Sequence, residues 1–270
     1  MTEHSNDDAC RVAVIIPARL ASTRLPEKLL RQVAGRSILE HTFRQAIQSQ
    51  VAQQVIIAVD HERLFEEVQR FGGQAVMTPA DCASGTDRLA VVAEEFTDLD
   101  AFVNVQGDEP EIEPSLIDAV ARRLVGDPSA SMSTAVTPIR QESDYLDPNC
   151  VKAVLADDES AIYFSRSPLP HVRDGLSDAD WAGDSTVAWQ HIGIYAYRRE
   201  FLTWFSKQPT STLENLERLE QLRAIEAGHR IVVEKTETAT LGIDTQSDLD
   251  AFAMRQSSGI SDESSSSTIS

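Results

Sequence analysis

The chain has 270 residues and is 41% hydrophobic, so it can bury a large core as one α/β domain or two smaller domains. Its 43 acidic residues outnumber 24 basic ones, and the net charge of -19 argues against nucleic acid or an anionic membrane surface as a partner. No apolar run approaches the ~20 residues that cross a bilayer.

Residues 1–10 are polar, which predicts a disordered N-terminus without a signal peptide. The three cysteines have neither zinc nor disulfide spacing, which favours the cytoplasm.

Strand and helix patterns alternate through the first half of the chain. The apolar run 12–16 predicts a strand buried on both faces, and Pro17 ends it. Ser37 and Glu40 have capping-box spacing and begin an amphipathic helix. Further strands are predicted at 54–59, 74–77 and 101–105. This alternation predicts an α/β fold with a doubly wound, mostly parallel sheet.

The second half contains a β-rich region at about 130–200, within a single folded domain predicted for 11–255. Its predicted strands are 132–136, 151–155, 161–165 and 191–198. A polar excursion over 171–188 interrupts them. A last strand is predicted at 231–233.

Two helices are predicted near the C-terminus. Ser211 and Glu214 repeat the capping-box spacing and begin a long helix that Gly228 ends. Leu249 and Phe252 lie on a final helix. The serine-rich stretch 256–270 has almost no apolar residues and is predicted to be disordered.

A cationic loop follows the first strand. Arg19, Arg24 and Lys28 lie just past its end, where an open α/β sheet binds anionic ligands. Asp108 and Asp244 each follow a strand or turn, and carboxylates in such positions can hold magnesium beside a substrate phosphate. The chain has neither the glycine-spaced dinucleotide fingerprint nor a Walker A loop. The layout therefore indicates transfer of a nucleotidyl group.

Several short motifs make this indication specific. In chain order they are IIPAR (15–19), STRLPEK (22–28), SGTDR (84–88), NVQGDEP (104–110), HIGIYAYR (191–198), LEQLR (219–223) and GIDT (242–245). Together they closely resemble the 3-deoxy-manno-octulosonate cytidylyltransferase (CMP-Kdo synthetase) family, and the resemblance covers roughly 11–255. One such motif is weak evidence, whereas a full set in order is strong.

The resemblance implies a Rossmann-like nucleotidyltransferase fold and a reaction. The family joins CTP to the sugar acid 3-deoxy-D-manno-octulosonate (Kdo), giving CMP-Kdo and diphosphate for lipopolysaccharide biosynthesis. It uses Mg²⁺ and is expected to be a cytoplasmic homodimer, with the β-rich region 130–200 serving sugar binding and dimerisation.

The resemblance also implies roles for individual residues. Those expected to contact CTP are Arg19, Ser22, Arg24, Lys28, Ser84 and Gly85. Those expected to face Kdo are Arg88, Gln106, His191, Tyr195, Glu220 and Gln221. The expected ligands of Mg²⁺ are Asp108 and Asp244, and the expected catalytic residues are Lys28, Arg19 and Asp108.

The sequence departs from the family's commoner pattern in two places. Glu27 stands where a glycine is frequent, which restricts the loop's backbone, and Leu29 stands where a proline often follows. Cys82 and Ala83 replace a more usual polar pair, so no contact from these two is carried over.

Three of these residues can also have purely structural roles. Asp244 can cap the last helix, His191 can be a hydrogen-bonded core residue, and Glu220 can be solvated on a charged helix. The substrate can be a related sugar acid, such as 8-amino-Kdo or sialic acid. The chain can also be a nucleotide-binding module without catalysis.

Overall fold

The chain forms a mixed sheet with helices on both faces. The computed structural model describes residues 10–82, 84–183, 186–237 and 240–263. The strands are β1 (Val12–Ala18), β2 (Gln32–Val33), β3 (Arg36–Ser37), β4 (Ala52–Val59), β5 (Gln74–Met77), β6 (Ala101–Asn104), β7 (Met132–Pro138), β8 (Lys152–Leu155), β9 (Ala161–Ser165), β10 (Trp189–Arg198) and β11 (Ile231–Lys235). The main sheet has the order β11-β7-β10-β6-β1-β4-β5, with β8 pairing to β10 and β9, while β2 and β3 form a separate ribbon.

Strand β1 lies inside the parallel part of the sheet. It pairs in parallel with β4 on one side and with β6 on the other. The chain leaves β1 towards β4 and later returns to the opposite side as β6, which creates a topological switch point at the carboxyl ends of β1 and β6. Open α/β sheets bind their ligands in the crevice at such a point.

Helices cover both faces of the sheet. They are α1 (Ile38–Ala46), α2 (Glu62–Arg70), α3 (Gly85–Glu95), α4 (Pro114–Gly126), α5 (Glu142–Leu146), α6 (Asp178–Ala182), α7 (Arg199–Phe205), α8 (Thr212–Glu217), α9 (Leu222–Glu226) and α10 (Gln246–Glu263). Because side chains alternate along a strand, Val14 and Ile16 join the core beneath α1 and α4, whereas Ala13 and Ile15 join the core beneath α3 and α9. This burial on both faces confirms the prediction for the run 12–16.

Strand β10 is antiparallel to its neighbours β6 and β7, whereas β11 runs parallel to β7. The predicted mostly parallel sheet is therefore confirmed. The register sets Tyr195 opposite Asn104, and a bulge falls between Ile192 and Tyr195. Tyr195 consequently lies at the carboxyl end of β6, next to the switch point.

Part of the excursion 171–188 forms a helix that its polar composition does not predict. Ser177 and Asp180 form a capping box that begins α6. Trp181 on this helix is buried in a small apolar cluster with Tyr145 and Cys150. The capping-box spacing was the sequence signal for this helix.

The single long helix predicted from Ser211 to Gly228 is wrong. Helix α8 ends at Glu217, and Arg218 adopts the left-handed conformation with φ 56°. Arg166 accounts for the break, because its Nε donates to the Glu217 carbonyl at 2.8 Å and its backbone N–H donates to the Glu217 carboxylate at 2.9 Å. Because the Glu217 carbonyl accepts from Arg166, it does not continue the hydrogen-bond pattern of the helix. The break turns Glu220 towards the sheet.

The last helix extends further than predicted. Helix α10 continues past residue 256 to Glu263, so the predicted start of disorder at 256 is corrected. The hydroxyls of Ser257 and Ser258 donate to the Met254 carbonyl at 2.8 and 3.0 Å, which keeps these serines compatible with a helix. The remainder of the disorder predictions falls on 1–9 and 264–270, which lie outside the described residues. No described helix is both long and apolar enough to cross a bilayer.

Candidate active site

Two chain segments meet the cationic loop at the switch point. Gly107 follows β6, and a Cβ there would lie 3.1 Å from the Pro17 carbonyl oxygen, so the close approach of the two segments favours glycine. The Ile243 N–H donates to the Asp108 carbonyl at 2.9 Å. This backbone bond brings the 242–245 segment, which is distant in sequence, beside Asp108.

A cluster of alternating charges results. Lys28 Nζ donates to Asp108 Oδ2 at 2.5 Å and to Asp244 Oδ1 at 2.9 Å, and Arg24 Nη2 lies 2.8 Å from Asp244 Oδ2. Burial lowers the pKa of Lys28, but the charges and hydrogen bonds of the two carboxylates outweigh it and the net shift is upward. Lys28 therefore stays protonated. The structure unites two residues predicted to contact CTP, Arg24 and Lys28, with both predicted magnesium ligands.

Two cavities adjoin this cluster. The first, of about 180 Å³, has Arg19, Ser22, Lys28, Gln106 and Asp108 in its wall. The second, also of about 180 Å³, has Arg19, Gly85, Thr86, Asn104, Gln106, Tyr195 and Glu220 in its wall. Pro17, Arg19 and Gln106 belong to both walls, so the spaces are neighbours. Sequence reasoning missed Thr86 and Asn104, although both lie within motifs that it singled out.

The start of helix α3 forms part of the second cavity. Ser84 Oγ accepts from the Asp87 N–H at 3.1 Å, and the Ser84 N–H donates to Asp87 Oδ2 at 2.9 Å. This capping box fixes the first turn of the helix. Gly85 packs close to Pro17, since a Cβ at residue 85 would lie 3.4 Å from Pro17 Cγ. Residue 83, one of the departures, lies outside the described residues.

Glu220 and Gln221 occupy the turn between α8 and α9. Thr86 Oγ1 donates to Glu220 Oε2 at 2.6 Å. Burial raises the pKa of Glu220, and the hydrogen bond from Thr86 and the charge of Arg223 only partly offset that rise. Gln221 is buried, and its Nε2 has no hydrogen-bond partner among the described residues. Glu220 is thus not the solvated helix residue that its charged neighbours suggested.

Tyr195 and His191 differ in their access to the cavities. Tyr195 lies in the wall of the second cavity. His191 instead packs behind it, with ring centroids 5.4 Å from Tyr195 and 4.9 Å from Phe164, and its Nε2 lies 3.0 Å from Thr134 Oγ1. Burial lowers the pKa of His191 to about 3, so this ring is neutral at physiological pH. A direct contact between His191 and a sugar stays a prediction.

Arg88 is fully buried beneath the loops. Its Nη1 donates to Thr78 Oγ1 at 2.6 Å and to the Pro79 carbonyl at 3.1 Å, and its Nη2 lies 3.2 Å from Asp60 Oδ2. Neither cavity has Arg88 in its wall. The structure therefore does not bring Arg88 together with the other residues predicted to face the sugar.

Glu27 adopts the left-handed conformation, with φ 53° and ψ 36°, for which glycine is the usual residue. Its carboxylate turns away from Lys28 and pairs with Arg63 at the start of α2, where Nη2 donates to Oε2 at 2.9 Å and Nη1 to Oε1. This pairing holds an acid in the cationic loop, and neither of the two cavities described above has Glu27 in its wall.

We expect Arg63→Ala to raise the KM for CTP, the substrate that the family resemblance implies, more than Glu27→Gly does. Removing Arg63 leaves Glu27 strained and unpaired, whereas glycine removes both the strain and the need for a partner. Each change stays below about fivefold, because an exposed ion pair contributes little. Steady-state kinetics of both variants and of the double variant test this. The KM of the double variant should equal that of Glu27→Gly. A KM change in the double variant equal to the product of the two single changes would contradict the pairing.

We expect Glu220→Gln to raise the melting temperature at pH 7 while raising the KM for the sugar about tenfold, the usual cost of one hydrogen bond to a charged group. Burial raises the pKa of Glu220 above its unfolded value, so the folded state loses stability as pH rises through that window. The gain in melting temperature should therefore be larger at pH 7 than at pH 4.

Glu226→Gln is a matched control for this prediction. The side-chain hydrogen bond of Ser211 and nearby backbone N–H groups lower the pKa of Glu226, so its ionised form stabilises the fold. Glu226→Gln should lower the melting temperature at pH 7. Equal melting temperatures for the wild type and Glu220→Gln across pH 4–7 would show that the half-buried Glu220 carboxylate does not destabilise the folded state.

Comparison with known proteins identifies the family. A family model described as Cytidylyltransferase matches residues 13–231. A 3-deoxy-manno-octulosonate cytidylyltransferase of Rhodopirellula baltica is 56% identical over 242 residues, covering 90% of this chain and 97% of the relative. A second 3-deoxy-manno-octulosonate cytidylyltransferase, from Geobacter metallireducens, is 44% identical over 243 residues, covering 89% of this chain and 95% of the relative.

Solved structures agree with this result. The structure of CMP:2-keto-3-deoxy-manno-octonic acid synthetase complexed with CTP superposes with a TM-score of 0.85 and 36% identity, covering 92% of this chain and 99% of the other. A cytidylyltransferase from Leptospira borgpetersenii, at 16% identity and a TM-score of 0.60, shares the fold. The chain belongs to the cytidylyltransferase family, among the 3-deoxy-manno-octulosonate cytidylyltransferases.

Proposed function

We propose that this chain transfers the cytidylyl group of CTP to Kdo, giving CMP-Kdo and diphosphate for lipopolysaccharide biosynthesis. The observation that carries the proposal is the Lys28 ammonium between the carboxylates of Asp108 and Asp244, in the wall of the first cavity, which shares Pro17, Arg19 and Gln106 with the second. Family membership supports the choice of CTP and Kdo.

The first cavity suits the triphosphate. Arg19, Ser22 and Lys28 line it, and Arg24 lies beside Lys28 through the shared contact with Asp244. These cations stand out in a chain of net charge -19, and guanidinium groups bind phosphate oxygens in a fork. Ser84 and Gly85, at the start of α3, are proposed to lie against the cytosine.

The second cavity suits a polyhydroxylated acid. Tyr195, Glu220 and Gln106 bring a phenol, a carboxylate and an amide to one space, which can donate to and accept from sugar hydroxyls. Arg19 in the shared wall offers a cation to the sugar carboxylate. The unpartnered amide of Gln221 lies on the same turn as Glu220 and is proposed to complete the sugar site.

Mg²⁺ is the proposed cofactor, with Asp108 and Asp244 as its ligands. The donors fit, because magnesium takes one or two protein carboxylates together with substrate phosphates and water. Among the described residues no group of three or more His, Cys, Asp or Glu could hold a metal. When bound, the ion supplies positive charge for the phosphate oxygens.

The protein's own groups position the reaction. The anomeric hydroxyl of Kdo loses its proton to solvent and attacks the α-phosphorus of CTP. A new P–O bond forms, and the bond between the α-phosphorus and the oxygen bridging to the β-phosphorus breaks as diphosphate leaves. Negative charge spreads over phosphate oxygens during this step, and fixed cations such as Lys28 and Arg19 stabilise it. The common wall of Arg19 and Gln106 holds the two reactants side by side.

Diphosphate release on mixing the purified chain with CTP, Kdo and Mg²⁺ tests the proposal. Parallel reactions with 8-amino-Kdo and sialic acid test the substrate. Turnover of one of those acids without turnover of Kdo would change the substrate and retain the reaction class. Calorimetric binding of CTP without turnover of any sugar acid would instead indicate a nucleotide-binding module.

We further propose that the chain acts in the cytoplasm as a homodimer. Exposed Ile162 on the strand β9 and exposed Leu216 on α8 provide apolar surface for a second copy. Sedimentation at working concentration tests the dimer, and a mass near the 29.7 kDa of one chain would contradict it.

A further inference from the structure

Arg88 connects two loops that surround the proposed nucleotide site. It rises from the first turns of α3, and its guanidinium meets the ends of both β4 and β5. Thr78 Oγ1, which donates to the Val59 carbonyl at 2.9 Å, accepts from Arg88 Nη1 at 2.6 Å. The Pro79 carbonyl accepts from the same nitrogen at 3.1 Å. The fully buried Arg88 therefore stabilises the turn that follows β5 through two hydrogen bonds.

Asp60 extends this connection to the cationic loop. One of its oxygens, Oδ2, faces Arg88 Nη2 at 3.2 Å, while the other, Oδ1, accepts from the Leu20 N–H at 2.9 Å. Leu20 directly follows Arg19, whose side chain stands in the wall of both cavities. The carboxylate therefore links a buried guanidinium to the backbone of the loop that carries the phosphate ligands.

We infer that Arg88 is a positioning residue for the nucleotide loop, acting through Asp60 and the Leu20 N–H. The inference rests on the proposed function, because it takes the loop to bind triphosphate. The guanidinium is fully buried, its Nη1 and Nη2 donate to protein atoms while its Nε has no partner among the described residues, and neither cavity has Arg88 in its wall. Its charge fixes the carboxylate, and the carboxylate fixes the loop.

The energetic reason for the arrangement is the cost of an isolated buried charge. Removing one partner of a buried ion pair leaves the other uncompensated, whereas replacing both partners by neutral groups avoids that cost. Loss of Arg88 alone should therefore displace Asp60 and loosen Leu20. Loss of both charges should let asparagine at position 60 accept from the Leu20 N–H without an unpaired charge.

A double-mutant cycle on CTP binding tests the inference in the absence of sugar. We expect Arg88→Met to weaken calorimetric CTP binding about tenfold, within the range for directly coupled neighbours. Asp60→Asn should weaken it similarly, and Arg88→Met with Asp60→Asn should bind CTP at least as well as Arg88→Met alone. Arg122→Met, which removes an exposed arginine paired with Asp118, is the matched control and should bind CTP like the wild type.

Two further measurements separate the possible outcomes. Melting temperatures and circular dichroism identify any variant that fails to fold, and Arg88→Lys supplies a milder change that keeps the charge but loses the forked geometry. Unchanged CTP binding in folded Arg88→Met, with a raised KM for Kdo alone, would overturn the inference and make Arg88 a sugar ligand. The inference would also be overturned if the loss of CTP affinity in the double variant equalled the product of the losses in Arg88→Met and Asp60→Asn. Failure of the wild type to bind CTP would overturn the proposed function instead.

Discussion

Lys28→Met is expected to lower the rate of CMP-sugar formation by about 10³-fold, the scale seen when a group that stabilises transition-state charge is removed. The ammonium lies 2.5 Å from Asp108 Oδ2 and 2.9 Å from Asp244 Oδ1, between the two proposed magnesium ligands and in the wall of the proposed triphosphate cavity. Diphosphate release at saturating CTP, Kdo and Mg²⁺ measures the effect.

Lys207→Met is the matched control for this prediction. Lys207 follows helix α7 and is exposed, away from the charged cluster, so its loss should leave the rate unchanged. Methionine at position 28 also leaves the two carboxylates without their shared cation, and Mg²⁺ should then raise the melting temperature of the variant more than that of the wild type. Retention of more than a tenth of wild-type activity would contradict a catalytic role for Lys28.

Asp108→Asn is expected to cause a loss of similar size, about 10³-fold. An amide keeps the shape of the side chain but removes the charge that pairs with Lys28 and suits a hard cation. The variant should also require more Mg²⁺ for half-maximal rate. A titration of rate against Mg²⁺ at fixed CTP measures both effects.

The control for Asp108→Asn is Asp98→Asn. Asp98 is exposed, pairs with Arg11 at 3.5 Å and lies in the wall of neither cavity. The rate and the Mg²⁺ dependence of the Asp98→Asn variant should therefore match those of the wild type. An Asp108→Asn enzyme whose Mg²⁺ requirement is unchanged, even with a reduced rate, would argue that Asp108 acts through Lys28 alone and not as a metal ligand.

Much of the candidate site was predictable because its residues lie in short motifs next to predictable strands. The buried run 12–16 places the cationic loop, and the predicted strand at 101–105 places Asp108. Parallel strands end at the same edge of a sheet, so the meeting of these two segments follows from local patterns and one topological rule. The capping signals at Ser37 and Ser211 were likewise local, and both serines cap a helix. Only Ser211 forms the full capping box, because the Glu40 carboxylate instead accepts from Arg44 and Arg70.

Positions that depend on distant partners were not predictable in this way. Arg166 breaks the helix predicted from 211, since a bond from another element competes with the helical ladder at Glu217. The same break turns Glu220 towards Thr86. From the sequence, Arg88 was predicted to bind the sugar. The structure shows instead that its guanidinium pairs with the Asp60 carboxylate, which lies in a distant loop.

Periodicity, capping and motif order are properties of neighbouring residues, so they were enough to predict the family, the mostly parallel α/β sheet and the cationic loop. Which charges face one another depended on the packing of distant segments. That packing joins Lys28 to Asp108 and Asp244 across the fold, turns Glu27 outward to Arg63, and buries Arg88 beneath the loop. The physical reason is that charge pairing and burial depend on distances in space, which sequence spacing does not specify.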